Sequence, residues 1–131
     1  TALLSGEVSG SLTTLVTAIP HVKNGRLRAI GVTTAKRSRA LPEVQAISET
    51  VPGFEVVHWY GMWGPKGLPP EIVQKLQTEM AKAVKDPGVQ ERMGVQGFES
   101  VGSTADEFAK YVGTEMAKYG KIIKDANIKI D

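Results

Sequence analysis

The pattern of apolar and polar positions changes near residue 60. Before that point, short apolar runs alternate with short helical patterns, and after it two long amphipathic patterns dominate. The stretch 54–65 joins the two parts, since it begins with strand-forming residues and ends in a Gly-Pro turn signal. We therefore predict two structural parts that meet at this stretch.

Three segments of the first part have the apolar and β-branched character of strands. They are residues 8–12, residues 27–33 and the start of the stretch 54–65. Helical patterns separate them, and strands joined by crossover helices pair in parallel. This order predicts an α/β fold.

Two helices are predicted between these strands. Thr13 and Thr14 are N-cap candidates for a helix that ends before Asn24, and Pro20 within it predicts a kink or a break. A second, short helix is predicted over residues 43–49.

The second part predicts three helices and one short strand. Pro70 opens the first helix, and Asp86 caps a shorter one that follows it. Residues 98–101 alternate like a strand. Thr104 and Glu107 have the spacing of a capping box for a long terminal helix.

Both long helices carry an apolar stripe at helical spacing. In the first, the stripe consists of Ile72, Val73, Leu76, Met80, Ala83 and Val84. In the terminal helix it consists of Phe108, Val112, Met116, Tyr119, Ile122 and Ile123.

Composition excludes several classes of protein. The 131 residues are 41% hydrophobic and 23% charged, which is typical of globular domains and not of disorder. A net charge of +2 does not favour nucleic acid or an anionic membrane as a partner. The chain has no cysteine, so disulfides and thiolate sites are excluded, and no apolar run reaches the length of a bilayer span.

The first residues predict the end of a helix. Ala2, Leu3 and Leu4 followed by Gly6 have the pattern of a last helical turn with its glycine stop. Because this helix has an end but no start, we expect the chain to be a fragment, or a processed product, of a longer protein.

Catalytic and metal motifs are missing. His21 and His58 have no partner at metal-ligand spacing, so no metal site is predicted, and His58 is interpreted as a hydrogen-bonded structural residue. The sequence has no Gly-x-Ser-x-Gly elbow and no phosphate-binding glycine motif. We therefore predict that the protein is not an enzyme and has no cofactor.

The basic cluster 36–39 lacks aromatic neighbours and is interpreted as a solvated loop, with no nucleic-acid partner.

Two groups of residues suggest a small-molecule site. Thr13 and Thr14 lie where a strand is predicted to end and a helix to begin, a place that favours a carboxylate. The alternative is that either threonine is a simple N-cap. Trp59, Tyr60 and Gly61 combine flat apolar surfaces, a phenol and a closely approachable backbone, which suits a pocket, although ordinary core packing would also explain them.

Trp59, Tyr60 and Gly61 belong to a series of segments that resembles the Bug family, the extracytoplasmic solute receptors of tripartite tricarboxylate transporters. The first segments are Gly-Glu-Val at 6–8, Ala-Ile-Pro-His-Val-Lys at 18–23, Gly-Arg-Leu-Arg-Ala-Ile-Gly-Val-Thr at 25–33 and Ala-Lys-Arg-Ser at 35–38. The series continues with Leu-Pro-Glu-Val at 41–44, Pro-Gly-Phe-Glu-Val at 52–56, Trp-Tyr-Gly at 59–61, the turns at 64–65 and 67–69, Asp-Pro at 86–87 and Ile-Ile-Lys-Asp-Ala at 122–126.

The resemblance implies a type II periplasmic-binding-protein fold that closes over a small carboxylate at a cleft between two lobes. Only the C-terminal part of such a protein is matched. Residues 1–57 would be the C-terminal part of the second, ligand-binding lobe, and residues 58–131 the crossover and the C-terminal part of the first lobe. The implied function is periplasmic capture of the carboxylate and its delivery to a membrane permease.

Two departures from the family pattern bear on the ligand. Thr13 and Thr14 stand where relatives often carry an acidic residue or asparagine, and Val16-Thr17 stands where relatives have Pro then Ser. In relatives these positions face the cleft. The resemblance therefore implies a ligand that differs from a typical dicarboxylate.

Two other functions share this architecture. One is the effector-binding domain of a transcription regulator, which requires a helix-turn-helix upstream, and the other is an open α/β enzyme, which the missing motifs disfavour. As a fragment of such a receptor, the chain would expose lobe surface that the rest of the receptor covers. We therefore expect it to self-associate through exchange of its terminal helix or of strand edges.

Overall fold

The structure is a computed structural model that describes residues 1–129. Its helices are α1 (Ala2–Ser5), α2 (Leu15–Lys23), a 3₁₀ turn (Ile47–Glu49), α3 (Pro70–Lys85), α4 (Pro87–Gly94) and α5 (Ala105–Asp125). They divide between two compact units. Unit 1 contains Thr1–Tyr60 and Asp86–Ser100, and unit 2 contains Gly61–Lys85 and the chain from Val101 onward.

Helix α1 has the predicted glycine stop. Gly6 has φ 80°, the left-handed conformation that glycine adopts without steric cost. The amide of Glu7 donates to the carbonyl of Ala2 at 2.9 Å and closes this end of the helix.

Helix α2 confirms the predicted helix after the two threonines. Thr14 is its N-cap residue and Asn24 its C-cap residue. The helix is not broken at Pro20, because that residue lacks only its own amide. The carbonyl of Pro20 still accepts from the amide of Asn24 at 3.1 Å, so the last turn closes.

The core of unit 1 forms where α2 packs against two extended segments. Its buried apolar residues are Ile19, Val32, Leu41, Val44 and Ala46, with Leu15, Val22, Ala29 and Ala40 packed around them. Val32 and Ala46 form a parallel bridge. The amide of Val32 donates to the carbonyl of Gln45 at 3.0 Å, and the amide of Ile47 donates to the carbonyl of Val32 at 2.9 Å.

Within residues 1–129 this bridge is the whole of the β-structure, so the predicted strands over 8–12, 27–33, the start of 54–65 and 98–101 are wrong as continuous strands. The bridge is parallel, but it joins Val32 to Ala46, which lies in the segment predicted to be a helix, and not to another predicted strand. Residue type favours an extended backbone, but a strand needs a hydrogen-bonded neighbour along its length. The segment 27–33 has only the bridge on one side and, on the other, a bond from the amide of Val56 to the carbonyl of Thr33.

The helix predicted over 43–49 forms only in its last three residues. The carbonyl of Gln45 and the amide of Ile47 are hydrogen-bonded to Val32, so these two groups are not available to a longer helix. Tertiary pairing therefore overrides the local helix signal.

Unit 2 is built on α3 and α5, which contact each other. The predicted capping box of α5 is confirmed: the amide of Glu107 donates to Thr104 Oγ1 at 3.2 Å, and the amide of Thr104 donates to Glu107 Oε2 at 2.8 Å. The carboxyl of Glu107 accepts from the amide of Thr104 and, at 2.9 Å, from its hydroxyl, and these two bonds, the amide's first, lower its pKa. In α4 of unit 1, Asp86 caps as predicted by accepting from the amide of Val89 at 3.0 Å.

The apolar stripe of α3 is divided between two environments. Val73 and Val84 are half-buried, whereas Ile72, Leu76 and Met80 are 41–44% exposed. Most of this predicted packing face is therefore open to solvent.

Candidate functional site

Three threonine hydroxyls meet where α2 begins. Thr13 Oγ1 lies 2.9 Å and Thr14 Oγ1 3.2 Å from Thr17 Oγ1. The Thr17 hydroxyl donates to the carbonyl of Thr14 at 2.9 Å, so Thr13 and Thr14 are the donors of the other two bonds. Sequence reasoning noted Thr17 only as a departure from relatives, although its spacing of four and three residues predicts this contact on a helical turn.

The amides at the start of α2 remain available. Thr14 is the N-cap residue by position, but its side chain makes no cap hydrogen bond. Among the turn, loop and cap hydrogen bonds of the described chain, none is donated by the amides of Leu15 or Val16. Thr14 is therefore an N-cap residue by position, without the side-chain bond that a capping threonine usually makes.

Trp59 and Tyr60 belong to unit 1 with the two threonines. Trp59 is half-buried, and Tyr60 is 72% exposed. The ring of Tyr60 contacts His58, at a centroid distance of 5.1 Å, and Phe98, at 5.9 Å. His58 is exposed and makes no hydrogen bond within the described residues, so its interpretation as a hydrogen-bonded structural residue is wrong.

Gly61 lies in unit 2, and a packing contact explains its residue type. A Cβ at this position would lie 2.0 Å from Cζ of Phe108, so the aromatic ring occupies the space that any side chain would need. Trp63 packs on the same ring at a centroid distance of 5.2 Å. Sequence reasoning did not single out Phe108 as the partner of Gly61, since 47 positions separate them.

Lys36, Arg37 and Arg39 of the basic cluster 36–39 are exposed, in agreement with the interpretation as a solvated loop. Arg37 donates from Nε and Nη2 to the two carboxylate oxygens of Glu49, both at 2.8 Å, and Ser38 is buried. The Arg37 guanidinium, followed by the amide of Ala46, lowers the pKa of the Glu49 carboxyl to about 2. No local pattern predicts this pair, because its members are 12 residues apart.

The described residues show no cluster of three or more His, Cys, Asp or Glu side chains that could hold a metal ion. None of the helices within residues 1–129 combines the length and the low polarity that a bilayer span demands.

Two surface cavities, of about 340 Å³ in unit 1 and about 430 Å³ in unit 2, are lined by residues other than the five predicted for the site.

Comparison with known proteins identifies the class of protein. Residues 1–128 match the model of the tripartite tricarboxylate transporter family receptor. A relative from Pseudomonas sp. strain P51, the UPF0065 protein in the tcbD-tcbE intergenic region, is 33% identical over 123 residues, which are 92% of this chain and 37% of the relative.

Solved structures agree with this match. R. palustris Rpa4515 with adipate has a TM-score of 0.78 and 32% identity, over 87% of this chain and 38% of that one. The periplasmic binding protein BugD has a TM-score of 0.75 and 31% identity, over 86% of this chain and 38% of that one.

The matched class is one of transport receptors and not of enzymes or transcription regulators. This chain belongs to the tripartite tricarboxylate transporter receptor family, and the resemblance to the Bug family is confirmed. The solved relatives also confirm the predicted periplasmic-binding-protein fold class. The chain spans 37% of the length of the Pseudomonas sp. relative and 38% of each of the two structures.

Proposed function

We propose that this chain is part of a periplasmic receptor that captures a small organic carboxylate and delivers it to the permease of a tripartite tricarboxylate-type transporter. The observation that carries the proposal is the family match over residues 1–128. The adipate in the solved structure of a relative supports a carboxylate as the ligand class.

The N-terminus of α2 is our candidate carboxylate site. The free amides of Leu15 and Val16 lie at the positive end of the helix dipole, where an anion is stabilised. The hydroxyls of Thr13 and Thr14 now donate to another hydroxyl, Thr17. Turning either proton to a carboxylate exchanges a neutral hydrogen bond for a stronger, charge-assisted one.

The aromatic residues supply the apolar contacts in this proposal. Trp59 and the exposed ring of Tyr60 would pack against the carbon chain of the ligand. In the same proposal, residues 1–57 are the C-terminal part of the second lobe, and residues 58–131 are the crossover and the C-terminal part of the first.

Isothermal titration against a panel of carboxylates that includes adipate tests the proposal. Removing one hydroxyl with Thr14→Val or Thr13→Val is expected to weaken binding by about tenfold, as for a lost hydrogen bond to a charged group. Thr50→Val is the matched control, because this exposed hydroxyl makes no hydrogen bond within the described residues. A folded chain that binds no member of the panel would overturn the proposal.

We further propose that the chain self-associates. Ile72, Leu76 and Met80 form an exposed apolar row on α3, and such a row favours contact with another apolar surface. Light scattering is expected to show a species larger than the monomer that Leu76→Asp dissociates and Thr78→Asp, on the polar side of the helix, does not. A monomer at high concentration would contradict self-association.

A further inference from the structure

Unit 1 contains a cavity of about 340 Å³ on its surface, apart from the candidate carboxylate site. It lies between residues 28–30 and the turn at 43–45, which come just before the two residues of the bridge, Val32 and Ala46. A volume of this size is at the lower end of the range for small-molecule sites.

The backbone on one side of this cavity is unpaired. Within residues 1–129, neither the amides nor the carbonyls of residues 28–31 take part in a hydrogen bond to other backbone groups. The side chain of Ile30, at the cavity, is 80% exposed. This segment therefore offers both polar backbone groups and an apolar side chain to a ligand.

The cavity also holds three charged side chains, of which one is neutralised. Arg37 binds both carboxylate oxygens of Glu49 at 2.8 Å. Since the pKa of Glu49 is lowered to about 2, this pair keeps both charges above that pH. Arg37 thus lines the cavity without contributing a net charge.

The other two charges are opposite and unpaired. Arg28 and Glu43 both line the cavity, yet neither forms an ion pair or a side-chain hydrogen bond within the described residues, with each other or with any other group. Both side chains are exposed, so each is accessible to a partner. The cavity therefore presents one positive and one negative group to the same small volume.

We propose that this cavity binds a small zwitterion, with its carboxylate on Arg28 and its ammonium group on Glu43. A dianion would place a negative charge beside Glu43, and a dication would place a positive charge beside Arg28. A ligand without charged groups would form an ion pair with neither Arg28 nor Glu43. A molecule that carries one charge of each sign is the class that complements both.

Titration of the chain with β-alanine, followed by amide chemical shifts, tests this site. The expected result is a saturable shift of the amides at 28–30 and 43–45. Propionate, which lacks the ammonium group, and β-alaninamide, which lacks the carboxylate, are each expected to bind about tenfold more weakly, as is usual for a lost charge-assisted hydrogen bond.

Variants separate the two charges and the two sites. Arg28→Gln and Glu43→Gln are each expected to raise the Kd for β-alanine about tenfold, whereas Arg26→Gln, an exposed charge that does not line the cavity, leaves it unchanged. Thr14→Val is expected to weaken the carboxylate binding proposed above and to leave β-alanine binding intact, so that failure of one proposal is distinct from failure of the other. Equal binding of propionate, an unchanged Kd in Glu43→Gln, or no shift at these amides would overturn the inference.

Discussion

The two units of the chain are stabilised in different ways. Unit 1 has five buried apolar residues, contributed by α2 and by extended segments distant from it in sequence. In unit 2, among the residues up to Lys129, the one buried residue is Glu115, whose carboxylate pairs with Lys118 at 2.5 Å. The comparison shows that two amphipathic helices alone do not enclose a dry core, whereas a helix over paired segments does.

The buried carboxylate of Glu115 is unfavourable for the stability of unit 2. Its Oε1 accepts a hydrogen bond from Lys118, and this bond raises the pKa of the lysine. Its Oε2 is buried without a hydrogen-bond partner. Burial of a polar atom without a partner is unfavourable, so this oxygen lowers the stability of unit 2.

The largest effect is expected from a cavity in the core of unit 1. Ile19→Ala removes apolar contacts at the centre of that core and is expected to lower the free energy of unfolding by about 2–5 kcal/mol. Urea unfolding followed by Trp59 fluorescence, in a Trp63→Phe background, reports on unit 1. Ile30→Ala is the control, since that side chain is 80% exposed, and an equal loss in both variants would contradict a core at Ile19.

A smaller effect is expected from overpacking in unit 2. Gly61→Ala places a methyl group against the ring of Phe108 and is expected to lower the free energy of unfolding by about 1–3 kcal/mol. Fluorescence of Trp63 in a Trp59→Phe background measures it. In contrast, Gly120→Ala adds a methyl group in open space within α5 and is expected to stabilise the helix by about 0.5–1 kcal/mol. Tolerance of Gly61→Ala would show that the ring can move aside freely.

Loss of the α5 cap is expected to lower the stability of unit 2 by less than Gly61→Ala does. Thr104→Ala removes the hydroxyl that accepts from the amide of Glu107 and is expected to destabilise unit 2 by about 1 kcal/mol. Circular dichroism during urea unfolding measures the change. Thr78→Ala, at an exposed position inside α3, is the control, and the capping box has no energetic role if the two variants unfold alike.

The smallest effect concerns pH and the exposed pair Arg37–Glu49. Because the pKa of Glu49 is lower in the folded chain than in the unfolded one, the pair stabilises unit 1 fully above about pH 4.5, and this contribution is lost as the pH falls towards 2. An NMR titration of the Glu49 carboxyl is expected to show a pKa near 2 that rises towards 4.5 in Arg37→Gln. Arg39→Gln is the control, and an ordinary pKa for Glu49 in the unaltered chain would exclude the bidentate contact.

Elements defined by local chemistry were predictable from the sequence. The start of α2, the cap at Asp86 and the capping box of α5 each depend on residues a few positions apart, so the pattern contains the information. The family match over nearly the whole chain is likewise carried by short local motifs. In contrast, the helix predicted over 43–49 is a three-residue turn, because its backbone pairs with Val32.

The sequence by itself therefore determined the helices α2 to α5, the caps of α4 and α5, and the family. Only the tertiary structure decided that Phe108 packs on Gly61, that Arg37 binds Glu49, and that Arg28 and Glu43 line one cavity. The physical reason is distance along the chain. A cap or a helical stripe is a relation between neighbours, whereas these contacts join residues 12 or more positions apart, which meet only after the backbone between them has folded.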